Sequence, residues 1–224
     1  AGVAIFTAPN DRQCAIGAED VAARARELGG VPGAIATAGD TSQPGIYILT
    51  AVSAPAQALI KELSLAVTPE NPGMQGYIIH PAGERLLVIG SDSIGALYGA
   101  MTLRQMLRPA GALPVGDAAA HAGQTPPAQV VADAARVYDK PDYQYRSGMS
   151  VWRGLGYWAE GASDQLAAYK AGIDWLMRFK INLLTDYPVS IRTDARDVDE
   201  QQRAFLRAVN DYAVERGLYP ILWR

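Results

Sequence analysis

Apolar and polar positions along this chain follow two periods, and the switches between them mark its elements. Residues 3–7 and 45–50 (GIYILT) are short β-branched and aliphatic runs of strand type. Residues 18–28 are rich in Ala, Glu and Arg, and the Gly29-Gly30 pair that follows is a natural helix stop. Residues 54–65 carry Ile60, Leu63 and Leu65 as an apolar set and predict a second helix. The densest signal is the run 75–107. Residues 75–81 and 84–90 predict two strands joined by an Ala82-Gly83 turn, a hairpin link. Residues 91–107 predict a helix with Ile94, Leu97, Tyr98, Met101, Leu103 and Leu107 on one face, capped by Ser91, Asp92 or Ser93. Gly95 and Gly99 stand four apart and let that helix approach a sheet closely. The order β-α-β-α-β-β-α predicts an α+β sandwich, with a mostly antiparallel sheet and helices packed on it.

From 109 to 127 the composition turns to Ala, Gly and Pro with no period, which reads as a loop or linker. Residues 129–133 suit a further strand. A second unit then repeats strand and helix: strands at 145–151, 181–187 and 218–223, helices at 163–179 and 199–217. Leu166, Tyr169, Ile173, Leu176 and Met177 share a face of the first helix; Phe205, Leu206, Val209, Tyr212 and Ala213 share one of the second. Short strands alternating with helices predict βαβ units and a parallel sheet. The predicted domains are 1–135, an α/β layer, and 136–224, the first three strands of an incomplete (β/α)8 TIM barrel. An eight-stranded barrel needs more chain than this, so the expectation is the front of a longer protein.

Charge and composition narrow the partners. The chain has 224 residues, 49% of them hydrophobic and 19% charged, with a net charge of −3. No basic stripe marks a nucleic-acid surface, and no apolar run is long enough to span a bilayer. Cys14 is the lone cysteine, so no internal disulfide forms; His80 and His121 are the only histidines, too few for a histidine-rich metal site. Ala1-Gly2-Val3 has neither a basic leader region nor an initiator Met, which suggests a processed or trimmed product. The Asp194, Asp197, Asp199 and Glu200 cluster lacks the Gly and terminal Glu of a calcium loop and reads as an acidic helix start. Gly29–Gly33 lacks the Lys-Ser/Thr of a phosphate loop, and no Gly-x-Ser-x-Gly elbow occurs. No metal or cofactor is expected.

Two stretches resemble glycoside hydrolases. Gly76-Tyr77, Gly90-x-Asp92, Gly95, Tyr98-Gly99 and Thr102-Leu103-Arg104-Gln105 are similar to the end of the small non-catalytic α/β domain that precedes several hydrolase barrels. Pro141, Tyr145-Arg146 and Gly148 then resemble the Pro-x-x-x-Tyr-Arg-Gly strand opening the barrel of family 20 β-N-acetylhexosaminidases, with Ser147 inserted. Lys180-Ile181-Asn182 and Tyr212-Ala213-Val214-Glu215-Arg216-Gly217 are similar to that family's leads into its second and third strands. Departures accompany these matches. Met149-Ser150-Val151-Trp152-Arg153 stands where the family has Leu-Asp-x-x-Arg, and no His precedes Asp186. The same type of N-terminal domain precedes family 84 hexosaminidases and α-glucuronidases.

The resemblance implies a retaining, substrate-assisted hydrolase of N-acetylated glycans, exported to the periplasm or the medium. Its partners would be the sugar and the remaining C-terminal part of the barrel. The family's acid/base motif, His-x-Gly-Gly-Asp-Glu, does not occur in these residues, so the chain by itself is expected to be inactive. Five residues are candidates for substrate contact. By the resemblance Arg146 bonds sugar hydroxyls, and its rigid fork of donors suits them; its other reading is an ion pair with a barrel carboxylate. Asp186 and Tyr187 end the second predicted strand, where barrels place active sites; Asp186 also fits a capping or turn residue before Pro188. Trp152 and Trp158, in the loop after the first strand, either stack on a sugar or pack on the rim. A different class of protein also fits: a non-catalytic carbohydrate-binding or assembly module with a degenerate barrel.

Overall fold

A computed structural model describes residues 2–110, 130–132, 136–147, 164–184 and 199–220. The chain divides into two compact units, Ala1–Pro141 and Asp142–Arg224.

The first unit opens with β1 (Ile5–Thr7), α1 (Arg12–Glu27), β2 (Ile35–Thr37), β3 (Gly45–Thr50) and α2 (Ala54–Leu63). It continues with β4 (Tyr77–Ala82), β5 (Arg85–Gly90), α3 (Ser93–Met106), β6 (Leu107–Pro109), β7 (Val130–Ala132) and β8 (Val137–Asp139). Six strands form one sheet in the order β2-β1-β3-β5-β4-β8, while β6 pairs with β7 separately. The sheet is mixed, which corrects the mostly antiparallel one expected from sequence. Three of its pairings are parallel, β1 with β2, β1 with β3 and β3 with β5; only β4 runs against its neighbours β5 and β8. The cause lies in the connections. Helix α1 crosses the sheet between β1 and β2, so the second strand starts at the same end as the first. The hairpin spends β4 in the reverse direction on the outside, which leaves β5 to lie parallel beside β3.

Helices cover both faces. Val88, Tyr77 and Ile48 face α1 and α3, as the close approaches of Gly17 and Gly99 show. Along each strand the alternate positions point the other way. Phe6 and Tyr47 stack there at 4.8 Å between ring centroids, on the side of α2. A Cβ on Gly95 would lie 2.1 Å from the Gly76 carbonyl oxygen, and one on Gly99 would lie 2.5 Å from Val88 Cγ1. The glycine pair therefore brings α3 down onto β4 and β5. The hairpin turns at Gly83-Glu84, one residue later than the sequence suggests, with Gly83 at φ +62°. Buried helix ends are closed by carboxylates. Asp11 Oδ1 caps α1 by accepting from the Cys14 amide, and Ser93 Oγ donates to the other oxygen of Asp11. Arg104 of α3 pairs with Asp20 of α1 at 2.8 Å and with Glu27 at 3.2 Å.

The second unit contains α4 (Gln165–Arg178), β9 (Leu183–Leu184), α5 (Glu200–Glu215) and β10 (Tyr219–Pro220). Ser147 pairs with Leu183, and β9 pairs with β10, both in parallel. Successive parallel segments thus alternate with α4 and α5, the βαβ step predicted from the pattern. Of the predicted strands 145–151, 181–187 and 218–223, residues 145–146, 181–182 and 218 are irregular, and 148–151, 185–187 and 221–223 lie outside the described residues. Tyr169 of α4 meets Phe205 of α5 edge to face at 5.5 Å. Near the ends of the same helices Arg216 Nε donates to Asp174 Oδ1 at 2.6 Å, and Tyr212 donates its hydroxyl to the same carboxylate.

Candidate functional site

Of the five sequence candidates, Arg146 is the one within the described residues; Trp152, Trp158, Asp186 and Tyr187 lie outside them. Its surroundings begin with the end of α4. Phe179 is the C-cap, and Lys180 turns the chain at φ +57°, a left-handed conformation that redirects the backbone into β9. The next residue but one, Asn182, is fully buried. Every polar group it owns is used. Asn182 Oδ1 accepts from the Arg146 amide at 2.7 Å, and Nδ2 donates to the Gln144 carbonyl at 2.8 Å. Its own amide donates to the Arg146 carbonyl at 3.0 Å, and its carbonyl accepts from the Tyr219 amide at 2.6 Å. A single side chain and its backbone therefore tie together the openings of three parallel segments.

The Arg146 side chain reinforces this junction. Nε donates to the Lys180 carbonyl at 2.6 Å, while Nη1 bonds the Tyr143 carbonyl and reaches that of Gln144 at 3.4 Å. Arg146 lies half-buried just before Ser147, the first described residue to pair with β9. It thus sits where the chain enters the parallel sheet. Tyr145 and Tyr219 meet edge to face at 5.6 Å at the same end.

In the sequence Asn182 stands within the Lys180-Ile181-Asn182 motif with no task of its own. An Asn between the aliphatic residues of a predicted strand was the available signal, because a buried amide must find partners.

The other motif residues also have physical tasks. Asp92 Oδ1 caps α3 by accepting from the Gly95 amide at 2.6 Å, and Oδ2 accepts from the Gln75 amide at 2.8 Å. Tyr77 donates to Asp139 Oδ2 at 2.6 Å and shares a hydrogen bond with Thr102 Oγ1 at 2.7 Å. Burial first, and the bond to Asp139 next, push the Tyr77 phenol well above its ordinary range. The Gly-Tyr, Gly-x-Asp-x-x-Gly and Tyr-Gly-x-x-Thr positions thus join hairpin, helix and the last strand of the sheet. They specify a fold and leave chemistry to other residues. Among the described residues, no three His, Cys, Asp or Glu side chains converge as metal ligands. No described helix is long and apolar enough to cross a membrane.

No protein-family model matches the chain, and no curated protein does. Solved structures do. The chain matches a family 84 structure, CpGH84B, with a TM-score of 0.61 and 13% identity, over 98% of this chain and 32% of that one. The family 115 4-O-methyl-α-glucuronidase BtGH115A, described as specific for decorated arabinogalactans, matches at 0.60 and 18% identity, over 98% and 28%. The family 20 β-N-acetylhexosaminidase of Streptomyces coelicolor A3(2) matches at 0.52 and 18% identity, over 98% and 41%. At such identities the shared property is the fold. The chain has the fold of a stretch of these glycoside hydrolases and spans less than half the length of each.

Proposed function

We propose that this chain is the front part of a glycoside hydrolase, with the activity of a β-N-acetylhexosaminidase as the favoured specificity. The supporting observation is that one continuous likeness to glycoside hydrolases runs through both units, over 98% of the chain. The motif residues Gly76-Tyr77, Asp92, Gly95 and Tyr98-Gly99 add to it, and the Tyr145-Arg146 and Asn182 matches point toward family 20. In this reading the first unit is the non-catalytic α/β domain. The parallel segments of the second continue into a closed (β/α)8 barrel, and the protein is exported to the periplasm or the medium.

Glycosidases work with a carboxylic acid pair or, in the substrate-assisted form, with one acid and the substrate's own acetamido oxygen. That acid belongs to the longer protein. Within this chain Trp152, Trp158, Asp186 and Tyr187 are proposed to contact the sugar. For Arg146 the bonds to backbone carbonyls favour a positioning role at the strand openings, with a direct sugar contact as the rival. The test is a panel of aryl glycosides, run on the longer protein and on the 224-residue chain side by side. The proposal expects turnover of the aryl N-acetyl-β-glucosaminide by the longer protein and none by this chain. Turnover of a uronide alone would keep the hydrolase and replace the specificity; turnover of none would end the reading.

A further inference from the structure

On the α2 side of the first unit's sheet, the helix stops short of the last two strands and leaves a cleft of about 540 Å³. That volume is in the range of small-molecule sites. Its floor is apolar, with Leu63 and Leu65 from the end of α2 and Ile78 from β4. Its polar side chains are Ser64 at the end of α2, His80 on β4, and Arg136 and Tyr138 on the β8 side, and among the described residues no carboxylate lines it. Ile78 is paired with Tyr138 across the two strands, so alternate residues on both, including His80 and Arg136, share this face.

Each group is presented in a usable state. Tyr138 donates its hydroxyl to Asn71 Oδ1, yet the residue remains 60% exposed, so the anchored ring is open to a ligand. Arg136 is exposed and forms no ion pair among the described residues. His80 is half-buried, and burial together with the Arg136 charge holds its imidazole below the ordinary range, neutral near pH 7 and able to bond a hydroxyl. An apolar floor, an open aromatic ring, a neutral imidazole and an exposed guanidinium are complementary to a pyranose that carries a carboxylate.

We infer that this cleft binds a carboxylate-bearing sugar, with the carboxylate on Arg136 and the ring against Tyr138. The choice of a sugar over other organic acids rests on the glycoside hydrolase reading, but the binding does not depend on hydrolysis.

The test titrates the full chain with D-glucuronate and, in parallel, with methyl β-D-glucoside, following backbone amide shifts by NMR. Glucuronate should shift the amides of residues 63–66, 78–80 and 136–138. Its affinity should exceed that of the glucoside by roughly tenfold, the size of a bond to a charged group. Arg136→Gln should remove that advantage, and Tyr138→Ala should weaken both ligands while the remaining amide spectrum stays folded. Equal affinity for the two ligands, shifts elsewhere on the chain, or undiminished binding by Arg136→Gln would each overturn the inference. A longer protein without hydrolase activity would leave these results untouched, so the two claims fail separately.

Discussion

Replacing Asn182 by Ala isolates the junction on which the second unit depends. The substitution removes the acceptor of the Arg146 amide and the donor to the Gln144 carbonyl, at 2.7 and 2.8 Å. Both backbone groups are left in a partly buried place, where an unsatisfied group costs about 1–3 kcal/mol. Because Gln144 is exposed and its carbonyl can turn to water, the lower half of that range applies, giving about 2–4 kcal/mol in total. For a chain of this size each kcal/mol moves the midpoint by about 2–4 °C, so the melting temperature should fall by roughly 4–16 °C. Asn182→Asp should fall at least as far, since it buries a carboxylate against the Gln144 carbonyl oxygen. Calorimetry gives the midpoint, and hydrogen exchange at the Arg146 amide reports the lost bond directly. An unchanged midpoint with full protection of that amide would refute the junction.

Glycine 99 and Gly95 should differ in kind. Gly99→Ala presses on a Val88 methyl and should cost about 1–3 kcal/mol, while Gly95→Ala meets the Gly76 backbone oxygen at 2.1 Å and should cost more; equal, small losses in chemical denaturation would contradict the close approach of α3. Arg146→Lys cannot reach the carbonyls of both Lys180 and Tyr143, so it should lower the melting temperature and leave kcat/KM per folded molecule of the longer protein nearly intact. A ten- to hundredfold loss of kcat/KM at unchanged stability would instead make Arg146 a sugar ligand. Tyr212, pushed up to about 12 by burial and by the Asp174 charge, should make the fold sensitive to alkali. Below pH 10 folded and unfolded chains both keep the phenol proton; above it the unfolded chain loses its proton first, so stability drains away until about 12. Denaturation at pH 9 and 11 should show Tyr212→Phe losing less than the wild type over that interval.

What could be read in the sequence followed from how strongly each element repeats. Helix α3 and the β4–β5 hairpin combine a long apolar face, a carboxylate cap and a Gly turn, and they lie where the pattern puts them to within two residues. Strands β2, β6 and β8, three residues each, fall outside the predicted strands. Ile35–Thr37 is exposed along its length, Leu107–Pro109 continues directly from α3, and Val137–Asp139 ends just before Lys140-Pro141. The sheet's parallel character follows from which strands pair, β1 with both β2 and β3, and β3 with β5, and no single segment of sequence states that. Helix α1 starts at Arg12, six residues before the predicted start: Asp11 caps it through the Cys14 amide, and Cys14 and Ile16 are already buried ahead of residue 18. The motif positions were legible as a resemblance, but their tasks needed coordinates: nothing in a string tells that both oxygens of Asp92 are spoken for. Asn182 illustrates the same limit from the other side, a polar residue whose partners lie 36 and 38 positions earlier in the chain.

The proposed function, the front part of a protein that cleaves N-acetylated glycosides, is tested most directly by the product's anomeric proton. Proton NMR of the longer protein acting on an aryl N-acetyl-β-glucosaminide should show the β-anomer of the free sugar first, with the α-anomer appearing only by mutarotation, as a retaining mechanism requires. Initial release of the α-anomer would contradict the substrate-assisted mechanism, and no cleavage at all would contradict the claim itself.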